Sequence, residues 1–241
     1  CQEESPALQI LWDNGLKKLN ICTISSVSPA YGAVPFVIFD ATPQISLLEE
    51  IYGSISIQFN AMVKDGPLVK RFQLIDRALS YQTLNNERWA MRLAILAELL
   101  EQAHGHTGLI CPLKVEDVIE ERLKTNVRLN HFGALRGDNS FELLPCVIIA
   151  SRQAIHYSTV EDMAAVLTSR KIERIQPGNG KFDWYPKGKK FVIHRSGKTG
   201  WPVQNDYHPD PFVEAVRAAI TEDNLEQAIG RTRNVRRYDT P

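Results

Sequence analysis

Cysteine is scarce in this 241-residue chain, and the four present (Cys1, Cys22, Cys111 and Cys146) are scattered, with no C-x-x-C pair among them. That spacing argues against both a disulfide framework and a structural zinc site. Cys111 and Cys146 lie in apolar runs and read as small buried hydrophobes in a reducing cytoplasm. Long apolar runs are also missing: none approaches the roughly 18 residues of a membrane span, and no signal peptide is visible. The expectation is a cytoplasmic protein without membrane association. Net charge is absent too, because 28 basic residues balance 28 acidic ones. Any attraction for nucleic acid must therefore come from a local patch. No internal repeat or low-complexity tract is present, and the apolar share of 44% suits an ordinary globular chain of one large domain, or one domain and part of another. The first residue is Cys1, not methionine, so we expect a piece of a longer protein.

What the chain does carry is a rhythm of short apolar runs. Residues 8–13 (LQILWD) and 16–24 (LKKLNICTI) flank Asn14-Gly15, a strong hairpin turn signal. The run FVIF at 36–39 has the pattern of a buried parallel strand, ending in Asp40-Ala41-Thr42-Pro43. SLLEEIYG (46–53) reads as a short helix stopped by Gly53, and 54–85 as a more polar junction with strand character in SISIQF and RFQLI. The spacing of Trp89, Leu93, Leu96 and Leu100 predicts a helix over 87–104, ended by Gly105.

Strand and helix then alternate: strand 107–112, helix 115–124, strand 126–133 running into a loop, and strand 144–151. A capping box at Ser158–Glu161 opens a helix through Leu167. This rhythm predicts a parallel sheet with helices on its faces. Residues 170–210 break it with a basic hairpin turning at Pro186-Lys187-Gly188. Asp210-Pro211 starts a helix in the cap-then-proline order, and a second helix is expected over roughly 222–235.

Two tempting sites are set aside. Ser196-Gly197-Lys198-Thr199 looks like part of a phosphate-binding loop, but Val192 stands where the first glycine is needed and GWPVQ cannot begin the required helix. A hairpin turn is the better reading. His104 and His106 straddle a helix stop without nearby cysteines or acids, so no metal site is expected.

Three segments make better sense together than apart: Asp40–Pro43 after an apolar strand, the Gly-rich loop HFGALRGDNS (131–140) before another, and Gln227-Ala228-Ile229-Gly230-Arg231. In this order they resemble the motor core of superfamily one and two helicases and related nucleic-acid-dependent ATPases. The resemblance covers about 9–237, although the motifs are short, and is closest to the C-terminal part of phage- or plasmid-type DNA helicases. It implies an α/β, RecA-like parallel sheet with helices on both faces and a β-hairpin insertion at about 170–210. Residues 1–53 would be the terminal strands of a first RecA-like domain, and 54–241 the second domain.

The resemblance also implies roles. Asp40 and Thr42 would couple nucleotide state to the second domain. Gln227, Gly230, Arg231, Arg233, Gly137 and Asn139 would bind nucleotide, with Arg231 the catalytic arginine. Lys114, Arg136, Lys189 and Lys190 would touch nucleic acid, DNA before RNA. ATP with Mg²⁺ would be held mainly by an N-terminal RecA-like domain of the same polypeptide, since no Walker A loop or acidic magnesium-binding strand lies in this sequence. The family's second motif arginine falls on Asn234 here, so Arg233 or Arg236 would have to replace it.

The residue types fit these roles. An arginine presents a planar, permanently charged fork to phosphate oxygens. Gln227 lies one helical turn before Arg231 and shares its face. Gly230 would let the helix approach a neighbour closely. Plainer readings stand beside each: Arg231 as a helix-end charge favoured by the dipole, Asp40 and Thr42 as a strand end, Gly133 and Gly137 as turn glycines, Lys114 as a solvated lysine, and His131 as a structural histidine. Two alternatives stay open for the whole chain. One is a non-catalytic nucleic-acid-binding module using the basic hairpin 170–200, whose aromatics in the plain reading pack inward. The other is an α/β interaction domain with no nucleotide role.

Overall fold

The computed structural model describes residues 8–13, 16–21, 42–53, 55–57, 66–74, 79–135, 137–168, 172–176, 184–193 and 199–233. In chain order the elements are β1 (Leu8–Asp13), β2 (Leu16–Ile21), α1 (Ile45–Tyr52), α2 (Tyr81–Leu84), α3 (Glu87–His104), β3 (Thr107–Cys111) and α4 (Leu113–Glu120). There follow β4 (Arg128–His131), a 3-10 turn (Phe132–Ala134), β5 (Cys146–Ile149), α5 (Tyr157–Thr168), β6 (Lys187–Ile193), β7 (Gly200–Asp206) and α6 (Pro211–Gly230). The chain divides into two compact units, Cys1–Ser56 with Ile155–Ala219, and Ile57–Ala154 with Ile220–Pro241. The predicted strand 36–39, Asp40, Arg136, Arg236 and the turn Asn14-Gly15 lie outside the described residues.

The second unit holds the parallel sheet, in the order β4-β3-β5. Its central strand β3 is buried throughout and pairs in parallel with both neighbours, Leu109 facing Leu129 on one side and Ile148 on the other. Period-2 alternation sends Leu109 and Cys111 into one core with Val115 and Ile119 of α4 and Ala90, Leu93, Ala94 and Ala97 of α3. Ile110 goes into the opposite core, with Phe132, Leu135, Phe141 and Ala228 of α6. Helices therefore cover both faces, as a sheet apolar on both sides requires.

The bounds of α3 match the predicted ones because its ends are well signalled. The Asn86 side chain accepts the Arg88 N–H at 3.0 Å, and Gly105 takes a positive φ of 78° at the other end. Its buried stripe differs from the expected one. Of the four apolar positions named from the spacing only Leu93 is buried, and alanines 90, 94 and 97 form the rest of the contact face. Small residues let the helix lie close to the sheet, which leaves Leu96 outside. In the junction, the described residues 66–74 hold no strand, and Ser80 caps α2 by accepting the Thr83 N–H at 3.2 Å.

Gly108 is a packing requirement. A Cβ there would lie 2.7 Å from both Leu144 Cδ1 and Phe141 Cδ1, so the Phe141 ring occupies the space a side chain would need. The two described cysteines follow from the same packing. Burial pushes the Cys111 thiol up to about 12, with the Glu116 carboxylate adding to it, and burial also raises Cys146 despite a hydrogen bond with Thr107. Cys146 is half-buried whereas Cys111 is sealed. In native buffer at pH 8, Cys146 is expected to react with a maleimide well before Cys111, read by peptide mass mapping; equal rates would contradict this packing.

In the first unit, α1 lies against α5, and β1–β2 and β6–β7 are antiparallel hairpins. The second of these corrects the predicted turn. Pro186-Lys187-Gly188 does not reverse the chain; Lys187 opens β6 opposite Asp206, and the pairing runs on to Ile193 opposite Gly200. Proline and glycine signalled a turn, but the pairing is set by the strand pattern on either side. The same register disposes of the phosphate-loop look-alike, whose flanks are two paired strands.

The predicted capping box is also corrected. α5 begins at Tyr157, and His156 receives the Ser158 N–H on Nδ1 at 3.3 Å. Glu161 does not reach back to cap the helix. It is buried and accepts the Ile175 N–H at 2.6 Å and His208 Nε2 at 3.1 Å, with Arg174 at 3.6 Å. His208 Nδ1 accepts the Asp210 N–H at 3.0 Å, which leaves the ring proton on Nε2, toward Glu161.

Finally, α6 is one helix where two were expected. Asp210 caps it, its carboxylate accepting the Phe212 N–H at 2.8 Å. No glycine or proline follows Pro211 until Gly230, so Thr221-Glu222-Asp223 continue the helix and do not start another. It ends at Gly230, short of the expected 235. The unit boundary falls within it, after Ala219.

Candidate functional site

In an open parallel sheet, ligands bind beyond the carboxyl ends of the strands, where the strand order reverses. Here the chain steps from β3 to β4 on one flank and then to β5 on the other, so the reversal lies between β3 and β5. A cleft of about 270 Å³ opens at that end. Its lining comes from Phe132, Gly133 and Leu135 after β4, Gln153 after β5, and Asn224 and Gln227 of α6. The Gly-rich loop and the C-terminal helix motif, more than eighty residues apart in sequence, thus share one cleft within the second unit.

The backbone around the cleft is held in uncommon conformations. Ser151, just past β5, has a φ of 73°, and Arg233, just past α6, a φ of 45°. Left-handed backbone costs a non-glycine residue roughly 1–2 kcal/mol and persists where surrounding contacts enforce it. At Arg233 the guanidinium supplies them: it pairs with Glu142 at 3.2 Å and donates to Asn139 Oδ1 at 3.1 Å. Gly137 has a φ of 78° with open space where a Cβ would be, so its glycine answers to backbone conformation.

Asp138 organises the loop. Its carboxylate accepts the Ser140 N–H at 2.8 Å and the Asn130 amide at 2.7 Å. Burial pushes this carboxyl up, but the bonds from the Ser140 N–H and hydroxyl and from Asn130, with the nearby Arg128 charge, outweigh it and hold it below its ordinary value. The Asp138-Asn139-Ser140 sequence is an Asx-turn signature that could have revealed this brace.

Arg231 begins the turn after α6, its N–H bonded to the Gln227 carbonyl at 3.1 Å. Its Nε is buried and has no hydrogen-bond partner among the described residues. Of the two motif arginines, then, Arg233 is committed within the loop and Arg231 keeps an unused donor. Gly230 has no described atom within 4 Å of where its Cβ would be, so close approach of a described neighbour does not account for this glycine. Lys114 stands at the start of α4, directly after β3, with its ammonium 5.8 Å from the Tyr81 ring centroid. Thr42 belongs to the other unit, two residues before the α1 N-cap Gln44.

A pairing that spacing did not reveal lies at the end of β4. His131 Nδ1 and Glu116 Oε2 are 2.6 Å apart, and His131 Nε2 would be 3.7 Å from a Cβ on Gly133. Cys111 sits opposite His131 in register, yet it is sealed in the apolar core with its thiol raised, so it is no nucleophile.

In the first unit, Lys189 is exposed on β6, as are Phe191 on the same strand and Trp201 on β7; of Lys190 only the strand backbone is described. Tyr185 is instead buried, edge-to-face with Tyr157 and, at 5.4 Å, with Trp184, which itself stays 36% exposed. The hairpin aromatics are thus divided between inward packing and exposure. Among the described residues no cluster of three or more His, Cys, Asp or Glu could hold a metal ion, and no helix is long and apolar enough to cross a membrane. No protein-family model matches this chain, and neither a curated protein nor a solved structure matches it.

Proposed function

We propose that this chain is the second, RecA-like motor domain of a nucleic-acid-dependent ATPase of the helicase or translocase kind, with ATP and Mg²⁺ held mainly by an N-terminal domain of the same polypeptide. One observation carries the reading: the loop after β4 and the last turns of α6 meet beyond the carboxyl ends of a parallel sheet, joined by the Arg233–Asn139 bond. In phosphoryl transfer, charge develops on the departing bridge oxygen and over the equatorial oxygens of the transferred group. Arg231 would meet that charge. The loop 133–139 would relay nucleotide state to a nucleic-acid strand contacted by Arg136 and Lys114, and Asp40 and Thr42 would couple the two domains. The test is DNA-stimulated ATP hydrolysis by the full-length protein, wild type against Arg231→Ala. Loss of turnover with DNA affinity retained supports the reading, and unchanged turnover overturns it.

A second reading, a nucleic-acid module built on the hairpin, is favoured by Phe191, exposed on β6 two residues beyond exposed Lys189 and on the same face of the ribbon. Cations along a backbone track with aromatic platforms suit single strands. Reversing Lys189 and Lys190 to glutamate should flatten the salt dependence of single-stranded DNA binding by about 0.7 for each phosphate that the hairpin no longer neutralises. An unchanged slope removes the hairpin from consideration.

A further inference from the structure

We infer that the cleft between the loop 132–135 and α6 is a nucleobase pocket. The inference rests on the nucleotide reading for the class of ligand, and on the lining for the part of it that enters. No charged side chain lines the cleft, so it is ill-suited to phosphate. Its polar groups are three carboxamides, Gln153, Asn224 and Gln227, set against apolar Phe132 and Leu135. A carboxamide offers a donor and an acceptor in one plane, the pattern that matches the edge of a purine or pyrimidine. Phe132 and Leu135 are themselves buried, which makes them a fixed wall and not mobile surface groups.

One amide is held in place by the helix, and the backbone sets where the other two start. Asn224 Nδ2 donates to the Ile220 carbonyl at 2.6 Å, which fixes its plane and leaves Oδ1 as an acceptor. Gln153 follows the left-handed turn at Ser151, which redirects the chain just past β5. Gln227 stands one helical turn before Arg231, about 6 Å along the axis. A nucleotide with its base among the amides would find its first cation at that next turn. The base itself is neutral and planar, and could belong to a free nucleotide or to a nucleic-acid strand.

The experiment uses nucleosides, which carry no phosphate, on the full-length protein. Binding of adenosine, guanosine, cytidine and uridine is followed by ligand-observed NMR, with ribose 5-phosphate as the baseless competitor. At least one nucleoside should bind, and Gln153→Ala and Gln227→Ala should each weaken it about tenfold, the value of one net hydrogen bond. Ribose 5-phosphate should not displace it. Displacement by the matching mononucleotide at lower concentration than by a short oligonucleotide assigns the base to free nucleotide, and the reverse order to a strand; both support the pocket. No nucleoside binding, displacement by ribose 5-phosphate, or undiminished binding by the double variant overturns it. Gln153 is exposed, so its truncation does not threaten folding. Nucleoside binding involves no hydrolysis. An Arg231→Ala protein with undiminished turnover would therefore remove the motor reading and leave the pocket standing, while silent nucleosides with turnover lost would do the opposite.

Discussion

Arg231→Ala in the full-length protein is expected to lower ATP turnover about a thousandfold, the lower range for loss of an arginine finger. Its melting temperature should hardly change. The Arg231 Nε is buried without a partner among the described residues, so truncation breaks no hydrogen bond to them at that atom. Arg233→Ala should behave in the opposite way. It removes an ion pair with Glu142 and a bond to Asn139, and with them the restraint on a residue at φ 45°, so the loop loosens and stability falls. Arg231→Lys should rescue little, because a point ammonium cannot make the forked contact of a guanidinium. A steady-state assay alongside thermal denaturation of the three variants separates the two arginines. Comparable losses of turnover in Arg231→Ala and Arg233→Ala would mean that the motif acts as one structural brace.

Glu161→Ala should be strongly destabilising to the first unit, by about 2–6 kcal/mol, because two donors lose their acceptor at about 1–3 kcal/mol each. It leaves the Ile175 N–H and His208 Nε2 without their acceptor, and takes from Arg174 one of its two carboxylates, Asp162 being the other. Against a total stability of roughly 5–15 kcal/mol, a loss of that size approaches unfolding. Glu161→Gln keeps a carbonyl for the Ile175 N–H and should cost less. Urea denaturation of both variants checks the order, and a loss below about 1 kcal/mol for the alanine would show the network to be incidental.

The parts of this fold that are legible in the sequence share a cause. Helix α3 announces itself by periodicity, by Asn86 and by Gly105, all local signals pointing the same way. The parallel sheet follows from alternation of strand and helix, and the structure has a mixed α/β unit with three parallel strands covered by helices. What the sequence conceals depends on partners distant in the chain. Pro186-Lys187-Gly188 looks like a turn until Asp206 stands opposite Lys187. Glu161 has capping-box spacing, yet its carboxylate is claimed by Ile175, Arg174 and His208, which no window around residue 161 contains. At the candidate site, the loop glycines and Gln227 are visible as motif positions. Gln153, Asn224 and the His131–Glu116 pair are not, because each acquires its place only when the strand ends assemble.

The bare backbone at position 108 ties two distant places in the chain into one steric unit. An aromatic ring contributed by residue 141 stands in for the side chain that the middle strand omits. Redesign of either position must trade volume with the other: an alanine on the strand is tolerable only beside a smaller partner, so second-site suppressors of a bulky replacement at 108 belong at 141 or 144, far along the polypeptide yet adjacent in space.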